Sequence, residues 1–295
     1  MSEASVPTTE ATNDRTRGLD TLGAHALVAL LADEQVRAVE AVRAATPAIA
    51  RAVDAIVARL RAGGTLHYFG AGTSGRLAML DAAECPPTFG THPSLVVAHV
   101  AGGAPALVAA IEGAEDDAAA GRAEAKAHLG ATDVAVGISA SGGAPYVLGA
   151  LEAAHAIGAL CVGITSVAAS PLARQNTHAI VVETGSEPIA GSTRLKAGTA
   201  QKLVLNALST ATMVRLGHAY DNVMVDVVAT NAKLHARALR LVAKLGHVES
   251  ERASTLLVAA DGRVKIAVVM AVRGVDAAQA RELLAQASGF LRAVL

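Results

Sequence analysis

Phe69-Gly-Ala-Gly-Thr-Ser-Gly-Arg-Leu-Ala-Met-Leu-Asp-Ala-Ala-Glu-Cys-Pro-Pro-Thr-Phe-Gly90 is the stretch on which the reading of this chain turns. Thr65–Phe69, which leads into it, reads as a short strand, and Leu77-Ala78-Met79-Leu80 within it reads as a buried helix face. Gly70, Gly72 and Gly75 let the backbone turn sharply between the two and come close to a ligand. The amides that open the helix form a site for an anion. Thr73 and Ser74 add hydroxyl donors there, and Arg76 adds a fixed charge. Glu84 follows about two and a half turns downstream, and Pro86-Pro87 are expected to end the helix.

The same letters satisfy G-x-G-x-x-G, the dinucleotide fingerprint. That reading requires an acidic residue about 20 positions on, at the end of the second strand. Here the second strand, Leu95–Val100, runs into Ala101-Gly102-Gly103 with no acid. A pair of hydroxyls in the turn also suits a terminal phosphate better than a pyrophosphate. A tight turn without a ligand is the plainest alternative, and the adjacent Arg76 and Glu84 argue against it. A phosphate cradle with a nearby carboxylate points to an enzyme acting on a phosphorylated small molecule.

Across the 295 residues, 52% are hydrophobic and only 2% aromatic, so the core must be built from Ala, Val, Leu and Ile. With 25 basic and 26 acidic residues and no basic run, nucleic acid and anionic membranes are poor partners. No uninterrupted apolar run reaches the roughly 18 residues of a membrane span, and Met1–Leu19 is polar, unlike a signal peptide. Two cysteines, Cys85 and Cys161, make no disulfide framework and fit a cytoplasmic setting. Cys85 lacks a local His partner and is expected to be structural.

Residues 1–20 read as a flexible arm, and two helices are expected between Thr21 and Arg61. Strands and helices then alternate. After the strand at 95–100, Pro105–Glu115 is expected to form a helix continuing to His128. Thr132–Ile138 is a nearly continuous apolar strand, as in a parallel sheet covered on both faces. A helix over Pro145–Ile157 follows, then strands at Ala159–Thr165 and His178–Val182, then a long helix over Gly191–Leu216. This is a doubly wound α/β fold with a parallel sheet of five strands, whose ligands lie beyond the carboxyl ends of the strands. It is expected to occupy residues 21–234 together with the N-terminal helices. Residues 235–295, broken at Gly246-His247, Asp261-Gly262 and Gly274, read as a small helical domain for packing or dimerisation.

Ser139-Ala-Ser-Gly-Gly143 repeats the physics of the first turn at another strand end. Two hydroxyls with free amides behind them can wrap a phosphate, and helix capping by Ser141 is the plainer alternative. Two carboxylate positions stand out. Glu84 lies between an apparently apolar helix and the two prolines, a setting that can raise a carboxyl pKa and suit it to acid–base work. Glu112-Gly-Ala-Glu-Asp-Asp117 is the second, with Asp116 and Asp117 expected on a solvated face.

These residues resemble the N-acetylmuramic acid 6-phosphate etherases, members of the sugar isomerase (SIS) group. The resemblance covers nearly the whole chain. It is strongest at Gly70–Gly90, at Glu112-Gly-Ala-Glu-Asp116, and at Gly191-Ser-Thr-Arg-Leu-Lys-Ala-Gly-Thr-Ala-Gln-Lys202, continuing to Asp226 and Ala229-Thr-Asn-Ala-Lys233. It implies a SIS, flavodoxin-like sheet and a cytoplasmic lyase that removes D-lactate from N-acetylmuramic acid 6-phosphate in cell-wall sugar recycling. It places the two catalytic glutamates at Glu84 and Glu115. Thr73, Ser74, Ser139 and Ser141 are implied as phosphate ligands, with Ser192, Arg194 and Lys196 expected on the same cleft or else in packing. No metal or redox cofactor is implied, because the substrate carbonyl is the electron sink, and a homodimer is the rule.

Two departures from the family pattern stand out. Gly143-Ala144 replaces the usual Arg-Thr after Ser-x-Ser-Gly, and Thr12 replaces the usual Arg before Asn13. A sugar-phosphate-sensing regulator and an aldose–ketose isomerase are the competing readings. Both glutamate motifs favour the etherase over either.

Overall fold

Two helices, α1 (Ala24–Ala44) and α2 (Thr46–Arg61), lead into the sheet. The computed structural model describes residues 7–227 and 232–295. Met1–Val6 of the arm and Ala229-Thr-Asn231 of the third motif lie outside the described residues. The chain divides into two compact units, one of residues up to 83 with 94–209, the other of 84–93 with 210–295.

In the first unit, β1 (Leu66–Gly70), β2 (Val96–Val100), β3 (Val134–Ile138), β4 (Leu160–Thr165) and β5 (His178–Val181) form one parallel sheet in the order β2-β1-β3-β4-β5. Leu66 pairs with Val96 on one side and Val134 on the other. Every residue of β1 and β3 is buried, while the edge strands β2 and β5 are partly exposed. The nearly unbroken apolar runs of the central strands are what burial on both faces requires. The strand order reverses between β1 and β3, and the crevice beyond their carboxyl ends is where such folds take ligands.

The helices of this unit are α3 (Gly72–Phe89), α4 (Ala118–His128), α5 (Pro145–Ile157), α6 (Pro171–Arg174) and α7 (Lys196–Arg215), the last turns of α3 and α7 being counted with the second unit. Buried Asp81 on α3 accepts hydrogen bonds from Tyr68 of β1 (3.0 Å) and from Asn206 (2.8 Å) and Ser209 (3.1 Å) of α7. One carboxylate therefore joins three elements.

Four local expectations are corrected. Pro86 and Pro87 do not end α3, which runs on to Phe89 and closes through Gly90 N–H to the Pro86 carbonyl (2.9 Å). Proline removes a donor, but its fixed φ is already helical. The single helix expected from 105 to 128 is broken into 3-10 turns at Ala104–Leu107 and Ala114–Asp116 before α4, because Gly113 adopts a left-handed φ of 73° and Asp117 caps α4 through Ala120 N–H (2.8 Å). The helix expected from Gly191 starts only at Lys196. There the buried Glu187 carboxylate accepts the Lys196 and Ala197 amides (2.8 and 2.9 Å) and so fixes the helix start. From Pro7 onward, finally, the expected arm is fastened. Thr16 donates to the Pro188 carbonyl (2.8 Å), and Asn13 donates to Glu34 (2.8 Å) and to the Ser186 carbonyl (3.2 Å).

The second unit is helical, as the break pattern suggests, with α8 (Ala232–Gly246), α9 (Ser250–Ala259), α10 (Val264–Arg273), α11 (Ala277–Gln286) and α12 (Leu291–Val294). It takes in 84–93 and 210–234 besides residues 235–295. A short antiparallel pair, Ala219–Tyr220 with Val223–Met224, escapes the sequence reading because two-residue strands carry no period. Val242, Leu256, Leu257, Ala267 and Val268 centre its core. No helix among the described residues is long and apolar enough to cross a membrane.

In the first unit α4 and α5 touch backbone to backbone. A Cβ on Gly121 would collide with the Tyr146 carbonyl, and one on Gly149 with the Ala118 carbonyl. Gly121→Ala is therefore expected to destabilise the protein by about 1–3 kcal/mol, read as a lower urea midpoint. An unchanged midpoint would show that the two helices separate at no cost.

Candidate active site

β1 ends at Gly70, and the first turn of α3 lies directly on that end. A Cβ on Gly70 would come within 2.8 Å of the Gly75 nitrogen, and one on Gly75 within 2.7 Å of the Gly70 oxygen. Only two glycines allow this approach. It brings half-buried Thr73 and buried Ser74 onto the wall of a cavity of about 470 Å3. The loop after β3 supplies the opposite wall with Ser139, Ser141, Gly143 and Ala144, so the cavity sits at the switch point between β1 and β3. Glu115 and Asp116, both exposed on their 3-10 turn, line it as well.

The serines of the second loop turn inward on their own backbone. Ser139 Oγ accepts the Gly142 amide (3.1 Å) and Ser141 Oγ accepts the Gly143 amide (3.3 Å). A hydroxyl has one proton and two acceptor sites. The two oxygens also lie 3.4 Å apart, so one hydroxyl donates to the other and the second keeps its proton to donate to a ligand. Ser141 does not cap α5, whose N-cap is Ala144 without a side-chain bond. Ser74 Oγ donates to Gln201 Oε1 (2.9 Å), and the Gln201 Nε2, in a side chain only 1% exposed, has no partner among the described residues. Turning that amide over would make it the donor and release the Ser74 proton to an anion as well.

Other expected residues stand elsewhere. Arg76 does not line this cavity. Its guanidinium donates to the Ala109 carbonyl (2.9 Å) and so braces the segment that leads to Glu115. Half-buried Ser192 is off the wall, while its neighbours Gly191 and Thr193 are on it, and Arg194 is exposed. Lys196 lines a different cavity of about 550 Å3 together with Thr12, Asn13, Arg15 and Glu34. Glu84 is exposed on α3 and belongs to the second unit, so the apolar setting expected for it is absent. The buried faces around it are those of Ala82 and Cys85, and α3 running through the prolines leaves no turn to fold over its carboxylate.

Sequence reasoning also missed Glu10, which lies on the first cavity's wall beside Gly191, and Glu34. The described wall of the first cavity thus holds three carboxylates, Glu10, Glu115 and Asp116, and no Lys or Arg. Both departures from the family pattern fall on cavity walls: Gly143-Ala144 on the first and Thr12 on the second.

Glu34 is 0% and Lys196 1% exposed, and their 2.7 Å ion pair is completed by Asn13 (2.8 Å) and Arg15 (2.7 Å). Burial acts to raise the Glu34 pKa. The bonds from Lys196, Asn13 and Arg15 outweigh it and hold the carboxyl below its ordinary value. In the second unit Asp226 is held low in the same way: burial opposes, and His218 (2.9 Å) and Lys265 (2.7 Å) prevail. Cys161 is no nucleophile, since burial pushes its thiol up to about 11.

Residues 48–155 match the glucokinase regulatory protein N-terminal SIS domain, and residues 114–211 match the SIS domain family. The chain is 50% identical over 287 residues to N-acetylmuramic acid 6-phosphate etherase of Salmonella agona, and 49% identical to that of Serratia proteamaculans, covering 97% of both chains in each case. Among solved structures, a phosphoheptose isomerase from Francisella tularensis superposes with a TM-score of 0.51 at 21% identity, covering 65% of this chain and 100% of that one. One from Neisseria gonorrhoeae gives 0.50 at 22%, covering 64% and 98%. These two likenesses establish the sugar isomerase fold of the sheet.

The buried pair generates a prediction. Because the folded pKa of Glu34 is depressed, its contribution is complete above the unfolded value near 4.5 and fades as pH falls through the folded one. Glu34→Gln strands the Lys196 ammonium and is expected to cost about 3–5 kcal/mol at neutral pH. It should also flatten the loss of stability below about pH 4.5. Urea unfolding across pH tests both, and an equally steep acid limb in the variant would remove Glu34 from the explanation.

Proposed function

Because the chain belongs to the N-acetylmuramic acid 6-phosphate etherase family, we propose that it is a carbon–oxygen lyase that cleaves the D-lactyl ether of that sugar phosphate to N-acetylglucosamine 6-phosphate and D-lactate. The observation that carries the reading is an identity near one-half that spans 97% of both chains.

The chemistry is elimination followed by addition. In the open-chain sugar the carbon-1 aldehyde acidifies the carbon-2 proton. A base removes that proton, the electron pair forms the carbon-2–carbon-3 double bond, and the carbon-3–oxygen bond breaks. Lactate leaves with a proton from an acid, water adds at carbon 3, and carbon 2 regains its proton. Glu115, on the cavity wall, is assigned to take and return the carbon-2 proton. Glu84, exposed on α3, is assigned to protonate lactate and then activate water. Thr73, Ser74, Ser139 and Ser141 hold the phosphate by hydroxyls and loop amides. Lys196 is assigned to fixing the start of α7 and the arm rather than to phosphate, which its ion pair with Glu34 supports. Ser192 is retained only as a neighbour of that wall.

A homodimer is proposed as the working state. On α1 the exposed side chains of Val28, Val36 and Val39 fall within about 80° of one helical face, a stripe that a second copy would cover. A cytoplasmic setting and the lack of nucleic-acid and membrane partners complete the proposal. The regulator reading draws on the match to a regulatory protein's domain over residues 48–155. It leaves the paired glutamate motifs without a role.

In deuterated water the purified protein is expected to release D-lactate and to place deuterium at carbon 2 of the product. Glu115→Gln should lower both by about 10²–10⁴-fold. Glu84→Gln should block lactate release while carbon-2 exchange persists, and the reverse pattern would exchange the two roles. Absence of lactate from the unaltered protein, with a melting temperature still raised by the sugar phosphate, would replace the lyase by the regulator.

A further inference from the structure

Away from that cavity, β2 and α4 bring three metal-binding side chains together. Glu124 and His128 stand one turn apart on α4, and His99 faces them from β2. Glu124 Oε1 lies 2.8 Å from His99 Nδ1 and 3.4 Å from His128 Nε2, and the three donor atoms lie within 4.8 Å of one another. His99 is buried, while Glu124 and His128 are 41% and 50% exposed, and a cavity of about 450 Å3 opens on His99 and Glu124.

A chain of hydrogen bonds runs behind His99 through His67 and Thr65 to Asp133. Asp133 is ionised: burial opposes this, but the Gly130 and Thr65 amides and the Thr65 hydroxyl hold its pKa below the ordinary value. A carboxylate only accepts, so the Thr65 hydroxyl proton goes to Asp133 (2.8 Å). Thr65 Oγ1 can then only accept from His67 Nε2, 2.8 Å away. His67 is buried. As a neutral ring protonated at Nε2, it presents a lone pair at Nδ1 to His99 Nε2, 2.9 Å away. In that tautomer His99 donates there, and its Nδ1 offers a lone pair to a carboxylate oxygen 2.8 Å away, a gap that a metal ion or a proton on His99 fills.

We propose that His99 Nδ1, Glu124 and His128 Nε2 bind a zinc-type divalent transition-metal ion, with water completing a tetrahedron. Two imidazoles and one carboxylate are a donor set for such an ion rather than for calcium or magnesium. Bonds of about 2.0–2.2 Å set donors in a tetrahedron roughly 3.4 Å apart, so the Glu124–His128 distance already fits and the His99–Glu124 distance needs to open. Behind the ion, the His99–His67–Thr65–Asp133 chain is the outer-shell relay that orients a ligating imidazole and strengthens it as a donor. The site lies outside the catalytic assignments, and its role is to clamp β2 to α4.

The test uses chelator-treated full-length protein titrated with zinc against a competing chromophoric chelator, and with cobalt for its visible ligand-field bands. The expected result is about one ion per chain with tetrahedral cobalt bands. His128→Ala and Glu124→Gln change part-exposed side chains and should weaken zinc binding by roughly 100-fold or more, and Thr65→Val by about 10-fold, with lactate release unchanged. Failure to bind zinc, or equal affinity in the variants, overturns the proposal. So does nitrogen NMR showing both His99 nitrogens protonated at neutral pH in the metal-free protein, since a proton would then fill the gap.

Discussion

The approach of Gly70 to Gly75 is the constraint on which the site depends. With no Cβ on either residue, α3 starts directly on the end of β1. That puts Thr73 and Ser74 at the switch point of the sheet, across from the serines that follow β3. A side chain on either glycine would push the first turn of α3 away and take the hydroxyls with it. The rest of α3 is held by Asp81, whose bonds to β1 and α7 fix where that first turn can lie.

A second set of polar anchors fixes what surrounds the cavity. Glu187 sets the first residue of α7, Lys196, whose ammonium reaches Glu34 on α1. Glu34 in turn holds Asn13 and Arg15, so the N-terminal segment is tied to the body through one buried carboxylate. An isolated buried ion pair adds little net stability. Its physical effect here is to fix position: the segment carrying Glu10 is held where its carboxylate meets Gly191.

The sheet was legible in the sequence because its central strands are nearly unbroken apolar runs, and the ends of β1 and β3 were marked by glycine and serine. Glu115 was legible through its motif, and the structure places it on the cavity wall. The misreadings arose where one residue type has two uses. Proline at 86 and 87 was read as a helix end, although it lacks only a donor. Arg76 was read as a fixed charge beside the first turn, and Lys196 was expected on the same cleft or else in packing; each has a partner within the protein, a backbone carbonyl and a carboxylate distant in sequence. Partners such as Ala109 and Glu34 are set by tertiary packing and leave no local signal. The Glu124-x-x-x-His128 spacing was a local signal, but its third member, His99, joins it only through the pairing of β2 with the rest of the sheet.

The cavity proposed to take the phosphate has no cation on its described wall, and the loop after β3 offers other donors. The Gly142 and Gly143 amides donate to Ser139 and Ser141, which polarises each hydroxyl, and with one proton shared between the two oxygens the other is left to donate outward. Hydrogen bonds in such a chain strengthen one another, so the hydroxyls are better donors than free serines. They are also fixed before the ligand arrives, and little side-chain freedom is lost on binding. Gly143 and Ala144 remove the charge the family usually places in this loop, yet the amide-to-serine bonds do not depend on it. Charge strengthens a phosphate site over distance, whereas oriented donors act only at contact. The loss should therefore weaken capture of the sugar phosphate while leaving the geometry of the bound phosphate, and the register of carbon 2 with Glu115, the proposed base, unchanged.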